Sequence, residues 1–272
     1  LYPSPGTAEI FTSMIRNELP HKVFLELAGW YYNLGLQREV ARLLSLAPDH
    51  PEIQYWQAWL AHKSDDSLKS AEFLKKANAA NPYLVFPYLP ESVEPLAWAV
   101  ENSSSWKPAY YLGLIYWSRN KTDQAKSLFQ RCGDIPDYYP FYLSRVKLFE
   151  STDPAETEKD LLRAVTLAPD AWRVGLLLSR FYEKQGDRLK AREIAASFFS
   201  KSPQNYYLGL NLARQFVLNG EYKACSDLLI KLQVLPNEGA TEGYRLWRES
   251  NLQVAMEDYH NKKYTQALKY IE

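Results

Sequence analysis

The chain has 272 residues, of which 46% are hydrophobic and 24% charged, enough apolar surface for a sizeable core and too little charge for disorder. Lys+Arg and Asp+Glu both total 32, so the net charge is zero, and the basic excess with which nucleic-acid binders neutralise phosphates is missing overall. No apolar run reaches the roughly 18–20 residues of a membrane span, so neither nucleic acid nor membrane is an expected partner.

Residues 7–19 read as the second helix of a preceding, truncated unit, within a leading piece 1–20. Two repeats follow over 21–81. The first carries Leu27-Ala28, Tyr31, Gly35, Val40 and Leu44, and the second Ala58, Leu74, Ala77 and a closing Asn81-Pro82. Residues 82–105 break the frame. Pro82, Pro87 and Pro90 predict extended chain, and residues 91–101, with Val93, Leu96, Ala97 and Val100 apolar, predict one helix. Four repeats then fill 106–236. The clearest runs from Trp106 to about Asp137, with Leu112-Gly113, Tyr116, Ala125, Phe129, Cys132 and Pro136. The next has Leu161, Ala164 and Pro169, and the third has Ser179, Tyr182, Gly186, Ala191, Ala195, Phe198 and Pro203. The fourth has Ala213, Phe216, Gly220, Cys225 and Leu229. Residues 237–272 read as a loop around Pro236-Asn237-Glu238-Gly239, extending over 235–243, and a cut-off last repeat with Ala255, Tyr259, Ala267 and Ile271.

Each unit shows the same logic. Apolar residues at helical spacing make one face of each of two helices. A small residue sits where the helices cross: Ala28, Ala58, Gly113, Arg145, Ser179, Ala213 and Ala255, at intervals of 30, 55, 32, 34, 34 and 42. Arg145 is a poor crossing residue, which predicts a one-residue shift in that unit. Prolines between units stop the second helix without breaking an internal hydrogen bond. One such hairpin cannot bury its outer face, so neighbours must stack.

This pattern resembles the tetratricopeptide (TPR) repeat of about 34 residues. The resemblance implies an all-α, TPR-like α-solenoid, a right-handed superhelix of antiparallel helix pairs running as one array over 1–272, with one irregular proline-rich insertion. The order Asn81-Pro-Tyr-Leu-Val-Phe-Pro-Tyr, Glu94-Pro-Leu-Ala-Trp-Ala and Trp106-Lys-Pro-Ala-Tyr-Tyr-Leu-Gly is similar to the C-terminal TPR region of large bacterial proteins. Those proteins carry an N-terminal domain of unknown function and are linked to carbohydrate use. That implies a fragment of a larger protein, and an alternative role as an accessory carbohydrate-contacting or assembly domain. The compartment stays open, leaning to the cytoplasm.

Catalytic chemistry is hard to find. His21, His50, His62 and His260 read as helix-start, loop or surface histidines, and no serine or cysteine nucleophile arrangement accompanies them. Cys132 and Cys225 fall at packing positions and read as small buried hydrophobes. No glycine-rich phosphate loop occurs. No enzyme activity, no cofactor and no metal are therefore expected.

In stacked TPRs the first helix of each unit lines a concave groove. Its groove positions here hold aromatics early and basic residues later. Tyr55, Trp59, Tyr110, Trp117, Tyr142, Arg180 and Arg214 are the expected contacts for a protein or peptide partner, which includes another domain of the same full-length chain. The lysine–asparagine clamp that grips a C-terminal carboxylate in chaperone-binding TPRs is absent, since Leu25 and Gly29, and Tyr110 and Leu114, occupy those places. The expected function is a non-enzymatic interaction or scaffold module, with its oligomeric state left open.

Overall fold

The computed structural model describes residues 7–149, 153–232 and 240–271. Among them are sixteen α-helices and one 3-10 turn, with no strand, so the expected all-α fold of antiparallel helix pairs holds. The chain divides into two compact units, Leu1–Phe141 and Tyr142–Glu272.

In the first unit, α1 (Thr7–Met14) precedes the pairs α2 (Pro20–Asn33) with α3 (Gln37–Ser45) and α4 (Pro51–Lys63) with α5 (Ser67–Ala79). The predicted insertion follows: non-helical chain to Leu89, a 3-10 turn (Pro90–Ser92) and α6 (Val93–Glu101). The pair α7 (Lys107–Ser118) and α8 (Thr122–Cys132) comes next, and then α9 (Tyr139–Phe149), which spans the division. The second unit holds α10 (Pro154–Leu167), α11 (Trp172–Lys184) with α12 (Arg188–Lys201), and α13 (Tyr206–Leu218) with α14 (Tyr222–Leu229). It ends on α15 (Ala240–His260) with α16 (Tyr264–Leu268). The loop expected over 235–243 lies outside the described residues as far as 239, and from Ala240 onward the chain is helix rather than loop.

Six hairpins share one construction. Each crossing residue has a buried counterpart twelve positions later: Ala28 and Val40, Ala58 and Ser70, Gly113 and Ala125, Ser179 and Ala191, Ala213 and Cys225, Ala255 and Ala267. All twelve are buried. Where a hydroxyl stands at the crossing it bonds the facing backbone. Ser70 Oγ donates to Ala58 O, and Ser179 Oγ to Ala191 O, both at 2.9 Å. At Gly113 a Cβ would lie 2.8 Å from the Phe129 ring, so only glycine lets α7 and α8 approach this closely.

The turn is equally regular. Seven positions after each crossing residue the backbone takes positive φ, at Gly35, Asp65, Asn120, Gly186, Gly220 and Lys262. The next amide then donates back five residues, as from Leu36 to Tyr31 O and from Asp187 to Tyr182 O, in every case at 2.8–3.0 Å. This is the Schellman ending, which satisfies carbonyls that a helix terminus leaves orphaned. Glycine adopts it freely, whereas Asp65, Asn120 and Lys262 do so against the crowding of their Cβ atoms.

The pair α9–α10 departs from the rule. The position occupied by Arg145 is not taken over by a small residue. Arg145 makes a bidentate ion pair with Asp160 on α10, with Nε 2.8 Å from Oδ2 and both side chains largely buried. Planar fork-to-carboxylate matching is what makes a charge tolerable there.

Most of the aromatic content is packing. Phe24, Tyr31, Tyr32, Trp56 and Trp59 belong to one cluster with Leu25, Val40 and Leu44. Trp106, Tyr110, Phe129, Tyr138 and Phe141 form a second set, with ring centroids 5.4–6.3 Å apart.

Candidate functional site

Three of the expected groove residues lie inside the fold. Tyr55 is 0% exposed, its hydroxyl donates to Asn78 Oδ1 at 2.9 Å and its ring meets Tyr111 edge-on. Tyr110 is buried among Trp106, Phe129 and Phe141. Tyr142 is 0% exposed, with the Arg145 guanidinium 5.2 Å from its ring centre. The reason is geometric. From Pro51 to Leu60 every residue of α4 but Gln57 is buried. A first helix stacked between two neighbours and its own partner has apolar surroundings on nearly every side, and these tyrosines have no surface left to offer.

Trp59 is 4% exposed and sits edge-on to Tyr32 and Trp56. It shares a face with Tyr32 and His62, as the repeat pattern predicts, but that face is covered from within the chain. Tyr32 donates to Glu94 at 2.7 Å, Asn33 to Glu91 at 3.1 Å, and the Trp56 indole N–H to Ser92 Oγ at 2.9 Å. The His62 ring stacks on Trp98 with centroids 5.1 Å apart, and Leu89 and Trp98 pack against the cluster that holds Trp56 and Trp59. Residues 89–98 therefore lie where a partner was expected. The preceding stretch is held by α2: Lys22 Nζ donates to Phe86 O at 2.8 Å and Tyr88 donates to Glu26 at 2.7 Å. Trp117 is half-buried, edge-on to Phe129.

The second unit presents a different surface. Its first helices adjoin in the order α11, α13, α15. Arg173, Arg180 and Lys184 are exposed on α11, seven and then four residues apart, which places them along one helix face. Trp172 stacks on Tyr207 with centroids 5.2 Å apart and planes 6° from parallel, and the Arg173 guanidinium lies 4.5 Å from the Trp172 ring. Tyr207 remains 42% exposed. Arg214 is tied into the surface by Glu183, with Nη2 to Oε1 at 2.7 Å, and has Glu242 at 3.8 Å. Gln215 Nε2 donates to the second Glu183 oxygen at 2.6 Å.

The histidines depart most from the sequence reading. His21 is not a surface residue: it is 5% exposed and its ring stacks on His50, centroids 3.5 Å apart and planes 13° from parallel. His50 caps α4, its Nδ1 accepting from the Glu52 amide at 3.3 Å. The Glu52 side chain is also buried, one oxygen accepting from Lys22 Nζ at 2.6 Å. Burial, and then the Lys22 charge, lowers His21 to about 4. Burial, then His21 and Lys22, lowers His50 to about 3. Both imidazoles are neutral at pH 7, and the donor atoms of His21, His50 and Glu52 lie within 4.8 Å of one another. The available signal was positional, since His21 precedes crossing residue Ala28 by seven positions and His50 precedes Ala58 by eight. Stacked repeats superpose such positions.

Elsewhere chemistry is sparse. Cys132 and Cys225 are buried as expected, and burial pushes the Cys225 thiol up, away from a reactive thiolate. A cavity of 210 Å³ beside Ser103, Ser105, Trp106, Arg131 and Cys132 falls below the roughly 300 Å³ of a typical small-molecule site.

No protein-family model matches the chain, and no curated protein does. Several solved structures resemble it. The C-terminal part of a TPR repeat-containing protein from Cytophaga hutchinsonii is 14% identical, covers 90% of this chain and 93% of its own, and has a TM-score of 0.48. Pseudomonas aeruginosa PilF is 13% identical over 85% of this chain and 97% of its own, with a TM-score of 0.47. A tetratricopeptide repeat protein from Parabacteroides merdae is 11% identical over 92% and 98%, with a TM-score of 0.45.

Proposed function

We propose that the chain is a non-enzymatic interaction scaffold whose second unit receives an acidic, extended segment of a partner protein along α11 and α13. The observation that carries the reading is the exposed row of Arg173, Arg180 and Lys184, with Arg173 over the Trp172 ring of the Trp172–Tyr207 stack. Exposed arginines next to flat aromatic surface are the usual anchors of protein interfaces. Arg214, held by Glu183, borders this surface rather than offering a free charge.

The test is a fluorescence-polarisation screen of acidic peptides against the whole chain. The combined variant Arg173→Ala, Arg180→Ala and Lys184→Ala is expected to weaken the best peptide by about 10-fold or more while leaving the thermal midpoint unchanged. Binding should also fall with added salt, because the three charges face solvent. If the triple variant binds as tightly as the wild type, the reading fails.

A further inference from the structure

We propose that His21, His50 and Glu52 bind one divalent ion of the zinc class, with water in a fourth position. The first support is two unmade hydrogen bonds. His21 Nε2 and Glu52 Oε2 are buried and have no hydrogen-bond partner. A buried polar atom left unsatisfied is destabilising, and two of them in one site mark a place that a ligand completes.

The chemistry of the donors narrows the ligand. Two imidazoles and one carboxylate are a set that zinc takes in sites keeping one open position, and imidazole nitrogen suits the late first-row divalent metals generally. Coordination needs neutral histidine, the state that burial already enforces on both rings. Around a tetrahedral ion with bonds of about 2.1 Å, donor atoms lie roughly 3.4 Å apart. The present spread of up to 4.8 Å then closes by up to about 1.4 Å. The parallel His21–His50 stack must splay for this, since the lone pairs lie in the ring planes and parallel planes do not converge on one ion. Among the described residues, no other group of three His, Cys, Asp or Glu side chains lies close enough to share an ion.

Lys22 sharpens the proposal. Its ammonium occupies only Oε1 of Glu52, leaving Oε2 to the metal, but its positive charge opposes a second cation. Removing that charge should therefore strengthen binding, which no merely structural role for the cluster predicts.

The experiment uses the whole chain without a histidine tag, stripped with chelator and titrated with Zn2+ by calorimetry and with Co2+ by visible absorption. The expected result is one equivalent per chain, with the intense bands of low-coordinate Co2+. Affinity should be weakened roughly 10-fold or more in both Glu52→Gln and His50→Gln, and tightened in Lys22→Met. Circular dichroism of each variant separates lost binding from lost fold, and the less buried His50 keeps the test open if Glu52→Gln unfolds. Absence of stoichiometric uptake by the folded wild type overturns the proposal, leaving buried water to satisfy the two atoms. So does uptake unchanged in folded His50→Gln.

Discussion

The two units share a hairpin and treat its first-helix face in opposite ways. In Leu1–Phe141 that face is apolar and aromatic, and residues 89–98 of the same chain lie over it, fastened at Tyr32, Asn33, Trp56 and His62. In Tyr142–Glu272 the corresponding row on α11 is charged and exposed at Arg173, Arg180 and Lys184. A face rich in Trp and Tyr must be covered to gain its burial free energy, about 25 cal/mol per Å² of apolar surface. A face of Arg and Lys keeps its solvation when left open. The repeat frame thus sets where a face is, and side-chain chemistry sets whether the chain covers it itself.

The strongest way to break the contrast is to unfasten the covering segment. Trp56 is 1% exposed and holds Ser92 through its indole N–H. Trp56→Ala should cost about 3–5 kcal/mol in denaturant unfolding and make residues 82–101 newly sensitive to limited proteolysis. If stability falls and that segment stays protected, the insertion is held by something other than this face.

In the second unit the largest single effect is expected at the unusual crossing. Arg145→Ala leaves Asp160 buried without its guanidinium and should cost about 3–5 kcal/mol. The paired change Arg145→Met with Asp160→Leu should recover most of that loss, because two apolar residues of similar volume need no partner. Failure of the pair to recover stability would mean that the ion pair also fixes the geometry of α9 on α10.

Alkaline pH sharpens the comparison without mutation. Burial and the hydrogen bond to Glu94 push the Tyr32 phenol up to about 12, and the Glu26 hydrogen bond and burial do the same for Tyr88. Burial raises Tyr55, Tyr111 and Tyr138 still further. All five lie in Leu1–Phe141, and in the second unit Tyr182 is raised as well. Each folded phenol holds its proton more tightly than the unfolded one. The stabilisation is complete below pH 10 and is lost as pH rises through about 12. The melting temperature of the first unit should therefore fall more than that of the second as pH rises between those values. A Trp172→Phe, Trp247→Phe variant keeps six of the eight tryptophans, all in Leu1–Phe141. Its fluorescence melts can be set against far-UV circular dichroism of the whole chain.

The smallest effect tests the feature the units have in common. Asn120→Gly in the first unit and Lys262→Gly in the second relieve positive φ at equivalent turns. Each should raise stability by about 0.5–1 kcal/mol, measured as a shift in thermal midpoint. Unequal gains would show that the turns are not equivalent.

Much of the fold was legible because it depends on local spacing. Ala28, Ala58, Gly113, Ser179, Ala213 and Ala255 mark the crossings, and the glycines at 35, 186 and 220 mark three of the six turns. The other three turns carry Asp65, Asn120 and Lys262, which advertise positive φ weakly or not at all. Arg145 looked misplaced because its partner, Asp160, lies fifteen residues on, and charge pairing across a longer connection has no periodic signature. The candidate site was less legible for a related reason. Helical spacing assigns Tyr55, Trp59 and Tyr110 to a face, but it cannot tell which neighbour or insertion will occupy that face. His21 and His50 stand 29 residues apart and each reads as an ordinary helix-start residue until stacking joins them.

The segment over the first unit is tethered by short connections at both ends, to α5 before it and to α7 after it. Its local concentration at the face is therefore on the order of millimolar, the value for a short flexible linker. An outside peptide with the same intrinsic affinity would have to reach that concentration to occupy the face half the time. Whatever reaches Trp59 from solution must first win a contest that residues 89–98 enter with a large head start, so the first unit is buffered against weak, promiscuous peptides, whereas Arg173, Arg180 and Lys184 of the second stand exposed.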